Sequence, residues 1–190
     1  MPTSDSNART PRGESIAYPL DEFYARSGTA LPPLDQVDGQ AVPEPYRTLL
    51  VHDHDMTSTL ETFYHATVHL RLLSREQKGD EYFREVLLVL EGSERPVEFG
   101  AIQIHLGRFP EAARQDILEE RYPLGRVLKD HSIPYVSRPG AFLRMASDKM
   151  INSVLNLQGA HVLYGRRNTL SNPAGEPLAQ IVEILPPTAS

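Results

Sequence analysis

The spacing of hydrophobic residues along this chain changes near residue 66. Over residues 55–64 the apolar residues recur every three or four positions, and a Ser-x-x-Glu pair typical of a capping box stands at the start. From residue 66 onward apolar and polar residues alternate, as expected for a strand with one buried face. The pattern therefore predicts a helix that is followed by β structure.

The same reasoning assigns elements to most of the chain. The helix bounds are predicted from proline at the first position, an Asp cap before it or a glycine after the last turn. The strand bounds are predicted from the alternation of apolar and polar residues. A turn rich in Asn, Pro and Gly at residues 171–176 predicts a C-terminal hairpin. We expect helices over 20–27, 46–51, 55–64, 110–120, 123–128 and 148–157, and strands over 66–72, 82–90, 97–106, 142–146, 161–170 and 177–185.

These elements predict an α+β fold. Six strands linked by hairpins or short helices favour a six-stranded antiparallel sheet, with helices on one face that cover an internal ligand pocket. We expect residues 1–17 to form a disordered tail and residues 18–190 a single domain. Residues 31–45, rich in proline, are expected to form an extended strap over the core.

Composition limits the chemistry. The chain has 190 residues and no cysteine, which excludes disulfides, thiolate catalysis and cysteine zinc sites. A net charge of −6 disfavours nucleic acid or an anionic membrane as the partner, although local arginines can still bind a small anion. The polar N-terminal segment and the lack of a long apolar run predict a cytoplasmic protein without a membrane span.

Few residues stand out as candidates for chemistry. Arg84 lies in an apolar strand, so either a ligand carboxylate or an internal salt bridge, for instance with Glu183, must pair with it. Glu183 lies in an apolar run and is either on the sheet surface or buried with a raised pKa. The segment 52–55, His-Asp-His-Asp, either caps a helix or binds a divalent metal. Sequence motifs for nucleotide binding or a nucleophilic serine are absent.

The chain contains, in this order, the segments Asp55-Met56-Thr57, Tyr82–Leu88, Pro123–Leu128, Leu163–Arg167 and Gly175–Pro186. Together these segments resemble the chorismate pyruvate-lyase family. That family removes pyruvate from chorismate, leaves 4-hydroxybenzoate and uses no metal or organic cofactor. The resemblance departs from the family pattern at Tyr164, where the family has Trp, and in the lid region 129–157.

The resemblance implies an enzyme of divergent type with catalytic and substrate-binding residues. Arg84 and Glu183 would be the catalytic residues: Arg84 would clamp the ring carboxylate, and Glu183 would face the ring oxygen as acid or base. Backbone N–H groups of Met56 and Leu124, at helix starts, would assist Arg84. The remaining pair, Arg166 and Arg167, would either bind the second carboxylate or form a cross-strand ion pair.

The expected partners are therefore chorismate and 4-hydroxybenzoate, with no nucleic acid, no metal and no cofactor, in a monomer or dimer. The product would feed aromatic or quinone biosynthesis. Two alternatives stay open. One is a non-catalytic domain of the same fold that senses a hydroxybenzoate-like ligand, as in some bacterial transcription regulators, and the other is a lyase for another enolpyruvyl substrate.

Overall fold

Residues 15–188 are described by a computed structural model, in which they form one antiparallel sheet with helices on both faces. The expected tail lies outside the described residues except for 15–17, where Ala17 is already buried. The helices are Leu20–Ser27 (α1), Tyr46–Leu50 (α2), Met56–Tyr64 (α3), Glu111–Glu119 (α4), Leu124–Asp130 (α5) and Lys149–Leu155 (α6). The strands are Leu34–Val37 (β1), Val68–Lys78 (β2), Glu81–Leu90 (β3), Pro96–His105 (β4), Val136–Ala146 (β5), Val162–Ser171 (β6) and Pro177–Leu185 (β7).

Two meanders form the sheet. Strands β2, β3 and β4 make one meander and β5, β6 and β7 make the other, and the pairing of β4 with β7 joins them into the order β1-β5-β6-β7-β4-β3-β2. All the pairs are antiparallel. The last strand of the chain therefore lies at the centre of the sheet, next to a strand far away in sequence.

Side chains alternate between the two faces of the sheet. The face that carries Arg84, here called the pocket face, is covered by α2, α3, α4 and α5, which pack on the apolar residues of β2, β3, β4 and β7. The other face, here called the opposite face, packs against α1 and α6 around Phe83, Leu143 and Ile184. The two cores share the sheet between them.

Local interactions explain where the helices begin and end. The side chain of Asp55 accepts a hydrogen bond from the Ser58 N–H at 2.8 Å, and Asp148 accepts one from the Ile151 N–H at the same distance, so each caps its helix. α1 ends at Gly28, whose φ of 68° lies in the left-handed region where glycine is favoured.

The structure confirms the α+β class and the antiparallel sheet, with three differences. The described residues hold seven strands rather than six, because β1 within the proline-rich strap pairs with β5. β5 also begins at Val136, earlier than residue 142, and passes Pro139 with an irregularity in its pairing to β6. While α2, α3, α4 and α5 cover the pocket as expected, α1 and α6 cover the opposite face.

The C-terminal hairpin and the helix after Asp55 lie where the pattern placed them. No helix within residues 15–188 is both long and apolar enough to cross a membrane.

Candidate functional site

A pocket lies between the pocket face of the sheet and the N-terminal ends of α3 and α5. It holds about 480 Å³ of space between atoms, its open mouth included. Strands β2, β3, β4, β6 and β7 form its floor, and residues 55–57 and 123–125 form its roof. Four of the residues that the sequence singled out line it: Met56, Arg84, Leu124 and Glu183.

Strand register sets the floor of this pocket. Ile102 on β4 pairs with Arg84 on β3 and with Ile181 on β7, and Ile181 pairs with Asn168 on β6. These four residues form one row across the sheet and point to the same side. The row is apolar in the middle, with a cation at one end and an amide at the other.

A second row runs beside the first. Gly100 pairs with Val86 on one side and with Glu183 on the other, and Glu183 pairs with Arg166. Arg84 and Glu183 are therefore two strands and two residues apart, and their Cα atoms lie about 12 Å from each other. The two residues expected to act together occupy different ends of the pocket.

The Arg84 guanidinium is fully buried and incompletely paired. Its Nη1 lies 3.4 Å from the Ile117 carbonyl oxygen, while Nε and Nη2 have no hydrogen-bond acceptor, and no carboxylate within residues 15–188 forms an ion pair with it. Burial lowers the pKa of Arg84 to about 10, against the opposing effect of Tyr82 and Glu120, so the group stays charged at neutral pH. A buried, unpaired cation strongly favours an anion beside it.

Two helix N-termini meet at the roof. The first N–H groups of any helix lack partners inside the helix and favour anions. A Cβ atom on Gly125 would lie 2.8 Å from the Asp55 carboxylate and 3.1 Å from the Thr57 hydroxyl, so only glycine lets α5 approach α3 this closely. The N–H groups near Met56 and Leu124 thus belong to one pocket wall.

Arg166 has a different role from the one expected of a ligand-binding arginine. Its Nε donates to Glu183, its Nη1 donates to the His52 carbonyl at 3.0 Å and the Leu50 carbonyl at 3.3 Å, and its Nη2 donates to the His54 carbonyl at 3.1 Å. The group is fully buried and does not line the pocket. It holds the link between α2 and α3 on the sheet.

The salt bridge that the sequence allowed between Arg84 and Glu183 therefore forms between Arg166 and Glu183. Arg167 lies on the opposite face, where its Nη2 donates to the Gln180 side chain at 2.9 Å. Successive strand residues point to opposite faces, so at most one of these two arginines can face the pocket side. Of the two interpretations of these arginines, the placement favours the cross-strand ion pair, which Arg166 forms with Glu183.

Sequence reasoning missed Glu98. This residue lines the pocket and is 4% exposed, and its Oε2 atom has no hydrogen-bond partner. Burial raises the pKa of the Glu98 carboxyl well above its ordinary value; the Glu183 and Asp55 carboxylates raise it further, and Arg166 opposes them. The signal was present in the sequence, since a single Glu interrupts an apolar strand here as it does at Glu183.

The segment 52–55 has structural contacts. The His52 Nε2 atom lies 2.7 Å from the Leu49 carbonyl oxygen, the His52 ring stacks on His54, and Asp55 caps α3. Burial and the Arg166 guanidinium both lower the pKa of His52. Across residues 15–188, no group of three or more His, Asp or Glu side chains is arranged to hold a metal ion. Of the two interpretations of this segment, the contacts favour helix capping.

Comparison with known proteins gives structural neighbours only. No protein-family model matches the chain, and no curated protein matches it. PhnF from Mycobacterium smegmatis matches with a TM-score of 0.54 and 9% identity over 90% of this chain and 94% of that one. The effector domain of PhnF matches with a TM-score of 0.53 and 10% identity over 69% and 87% of the two chains.

A third structure is the ligand-binding domain of a putative GntR-family transcriptional regulator from Bordetella bronchiseptica. Its TM-score is 0.47, with 9% identity over 63% of this chain and 85% of that one. At such identities the two PhnF structures show a shared fold. The likeness is one of fold, and it does not show membership of the lyase family.

The expectation of an enzyme is wrong. The two structures that share the fold are PhnF and its effector domain and not lyases, which contradicts the assignment as a chorismate pyruvate-lyase together with its substrate, product and pathway. The expected absence of a nucleic-acid partner is contradicted as well, because PhnF, whose fold this chain shares, is a regulator. The net charge of −6 on which the exclusion depended describes only the average over the chain and does not decide that question.

Proposed function

We propose that this chain is a non-catalytic sensing domain that binds a small organic anion in the pocket above Arg84. The observation that carries the proposal is the buried Arg84 guanidinium, which lines the pocket with two nitrogen atoms unpaired. A carboxylate or phosphoryl group can accept two parallel hydrogen bonds from such a group. Binding would thus relieve the cost of the buried charge.

The walls define the rest of the ligand. Between Arg84 and the Glu183 end the floor consists of Val86, Ile102 and Ile181, and Leu70 and Leu170 complete it. Such a surface favours an apolar ligand body, since polar groups there would lose their hydrogen bonds to water. An aromatic or alicyclic acid has this chemistry.

The architecture offers a route from binding to signalling. A ligand anion between Arg84 and the first N–H groups of α3 and α5 would contact the sheet and the helical layer at once. Its binding energy would then favour one arrangement of these helices on the sheet over others. The fold shared with the effector domain of PhnF supports sensing as the use of this pocket.

The test is binding of defined anions to the full chain. We expect calorimetry to show binding of benzoate and cyclohexanecarboxylate and no binding of benzamide, which has the same ring without the charge. Arg84→Met should weaken benzoate binding at least tenfold, because hydrogen bonds to charged groups contribute about 1.5–3 kcal/mol.

Arg71→Met is the matched control. Arg71 lies on the neighbouring strand β2, is half exposed and bonds to Glu94, so its loss removes the same charge without touching the pocket. It should leave benzoate affinity unchanged. Equal binding by Arg84→Met and the wild-type chain, or binding of benzamide as tight as that of benzoate, would contradict the proposal.

A further inference from the structure

The Glu98 side chain has room in the pocket wall because Gly100, two residues further along β4, has no side chain. A Cβ atom on Gly100 would lie 3.2 Å from the Glu98 Oε1 atom and 3.1 Å from a Val86 methyl group. The carboxyl group of Glu98 therefore leans over Gly100, toward the row that holds Arg84. Its Oε2 atom is buried and has no partner among the described residues.

The charges around this carboxyl do not balance. The Glu183 carboxylate on β7 and Asp55 at the start of α3 raise the pKa of this carboxyl, and the Arg166 guanidinium on β6 opposes them. The Nε of that cation is hydrogen-bonded to Glu183, and its other donors bind backbone carbonyls. One guanidinium cannot neutralise two buried carboxylates and a third acid close by, and a neutral acid is far cheaper to bury than an ion.

We infer that Glu98 is a specificity-determining residue of this pocket, which keeps its carboxyl group in the acid form and donates its O–H to an uncharged acceptor oxygen on the ligand. The inference rests on the proposed anion-binding function and narrows its ligand class. The ligand is an elongated monoanion, with its charge at Arg84 and a ketone, ether or amide oxygen at the far end. A second negative charge at that end is excluded.

Strand register supports an elongated ligand. Leu88 pairs with Glu98, and Arg84 lies four residues before Leu88 on the same strand, so the Arg84 and Glu98 Cα atoms are about 14 Å apart. The two side chains approach the pocket from opposite ends and leave the apolar floor between them. A ring with one substituent para to its carboxylate has the required arrangement.

Three probes separate these features. 4-Acetylbenzoate carries an acceptor at the far end, 4-isopropylbenzoate has the same shape without one, and terephthalate carries a second charge there. We expect the wild-type chain to bind 4-acetylbenzoate about fivefold more tightly than 4-isopropylbenzoate, as one hydrogen bond provides. Terephthalate should bind at least tenfold more weakly than 4-acetylbenzoate.

Variants of Glu98 identify the donor. Glu98→Leu, of similar size, should abolish the preference for the acetyl group, and Glu98→Gln should retain it because the amide also donates. If the wild-type chain binds the acetyl and isopropyl probes equally, or if Glu98→Leu keeps the preference, the inference is wrong while the anion site stands.

A measurement without ligand keeps the two proposals apart. The ¹³C carboxyl resonance of Glu98, assigned by its loss in Glu98→Gln, should report the acid form at pH 7 in the free protein. An ionised Glu98 at that pH overturns the inference whether or not anions bind. A protonated Glu98 in a chain that binds none of the benzoates would instead overturn the proposed function.

Discussion

Arg84 and Arg166 are both fully buried on the same face of one sheet, but of the two only Arg166 has a carboxylate partner within residues 15–188. Arg166 pairs with Glu183 and three backbone carbonyls, so its burial is compensated within the fold. Arg84 has one long contact with the Ile117 carbonyl. A charge that the fold leaves uncompensated indicates a binding site, whereas a compensated one stabilises structure.

We predict that the single substitution Glu98→Gln makes the free energy of unfolding less dependent on pH. The pKa of Glu98 is raised in the folded protein, so its acid form binds a proton that the unfolded chain releases above pH ~4.3. As pH rises from ~4.3 to the raised pKa of Glu98, the free energy of unfolding of the wild type should therefore fall relative to that of Glu98→Gln by up to about 1.4 kcal/mol per pH unit. Below pH ~4.3 the two free energies of unfolding should converge.

Urea unfolding at several pH values between 3.5 and 7 measures this difference. Glu91→Gln, which removes an exposed carboxyl on a turn, controls for the change in net charge. Wild-type and Glu98→Gln stabilities that stay parallel across the range would show that Glu98 ionises normally in the folded protein.

At the scale of secondary-structure elements, the cap of a helix determines whether its first N–H groups are held in place. Asp55 caps α3 at the pocket and Asp148 caps α6 on the opposite face, each with a hydrogen bond of 2.8 Å. The two caps are chemically alike, but only the first positions backbone N–H groups in the pocket wall. They allow the effect of capping on stability to be separated from its effect on binding.

We predict that Asp55→Ala lowers stability by about 1 kcal/mol and that Asp55→Asn, which can still cap, changes it little. Both variants remove the same charge. Benzoate should bind several-fold more weakly to the Ala variant than to the Asn variant, because an uncapped first turn no longer holds its N–H groups in place.

The same pair of substitutions at Asp148 is the control, measured by urea unfolding and calorimetry. Asp148→Ala should again be less stable than Asp148→Asn, partly because it also loses the hydrogen bond from the Tyr24 hydroxyl. The two Asp148 variants should bind benzoate with equal affinity. A similar binding difference at both sites would mean that stability alone controls affinity.

Across the whole molecule, one buried ion pair connects the sheet to the helical layer of the pocket face. Arg166 and Glu183 lie on neighbouring central strands, and Arg166 reaches out to the link between α2 and α3. We predict that Arg166→Met costs about 3–5 kcal/mol, because it leaves Glu183 buried without its partner.

The double variant Arg166→Met/Glu183→Leu should recover much of that loss in urea unfolding, since no unpaired carboxylate of the pair remains. Arg144→Met, at an exposed position of β5, should stay within about 0.5 kcal/mol of wild type. A double variant as unstable as Arg166→Met would assign the loss to the carbonyl contacts of the α2–α3 link instead.

Local sequence determined the kind and order of most elements. Periodicity, the Asp55 cap and the turn at 171–176 act over a few residues, so α3 and the C-terminal hairpin could be predicted well. β1 was missed because four residues are too few to show a hydrophobic periodicity. This segment is a strand only because it pairs with β5. The start of β5 was missed because Pro139 reads as a strand breaker, yet an irregular pairing accommodates it.

Residue types also marked Arg84 and Glu183 as unusual, because a charge in an apolar strand is visible without a structure. Only the tertiary structure decided what each charge does. Sheet register places Arg166 beside Glu183, leaves Arg84 two strands away without a carboxylate, and brings Glu98 into the same pocket. The position of Glu183 relative to Arg84 and Glu98 depends on the pairing of β4 with β7, which are distant in sequence, and that information does not lie in any local pattern.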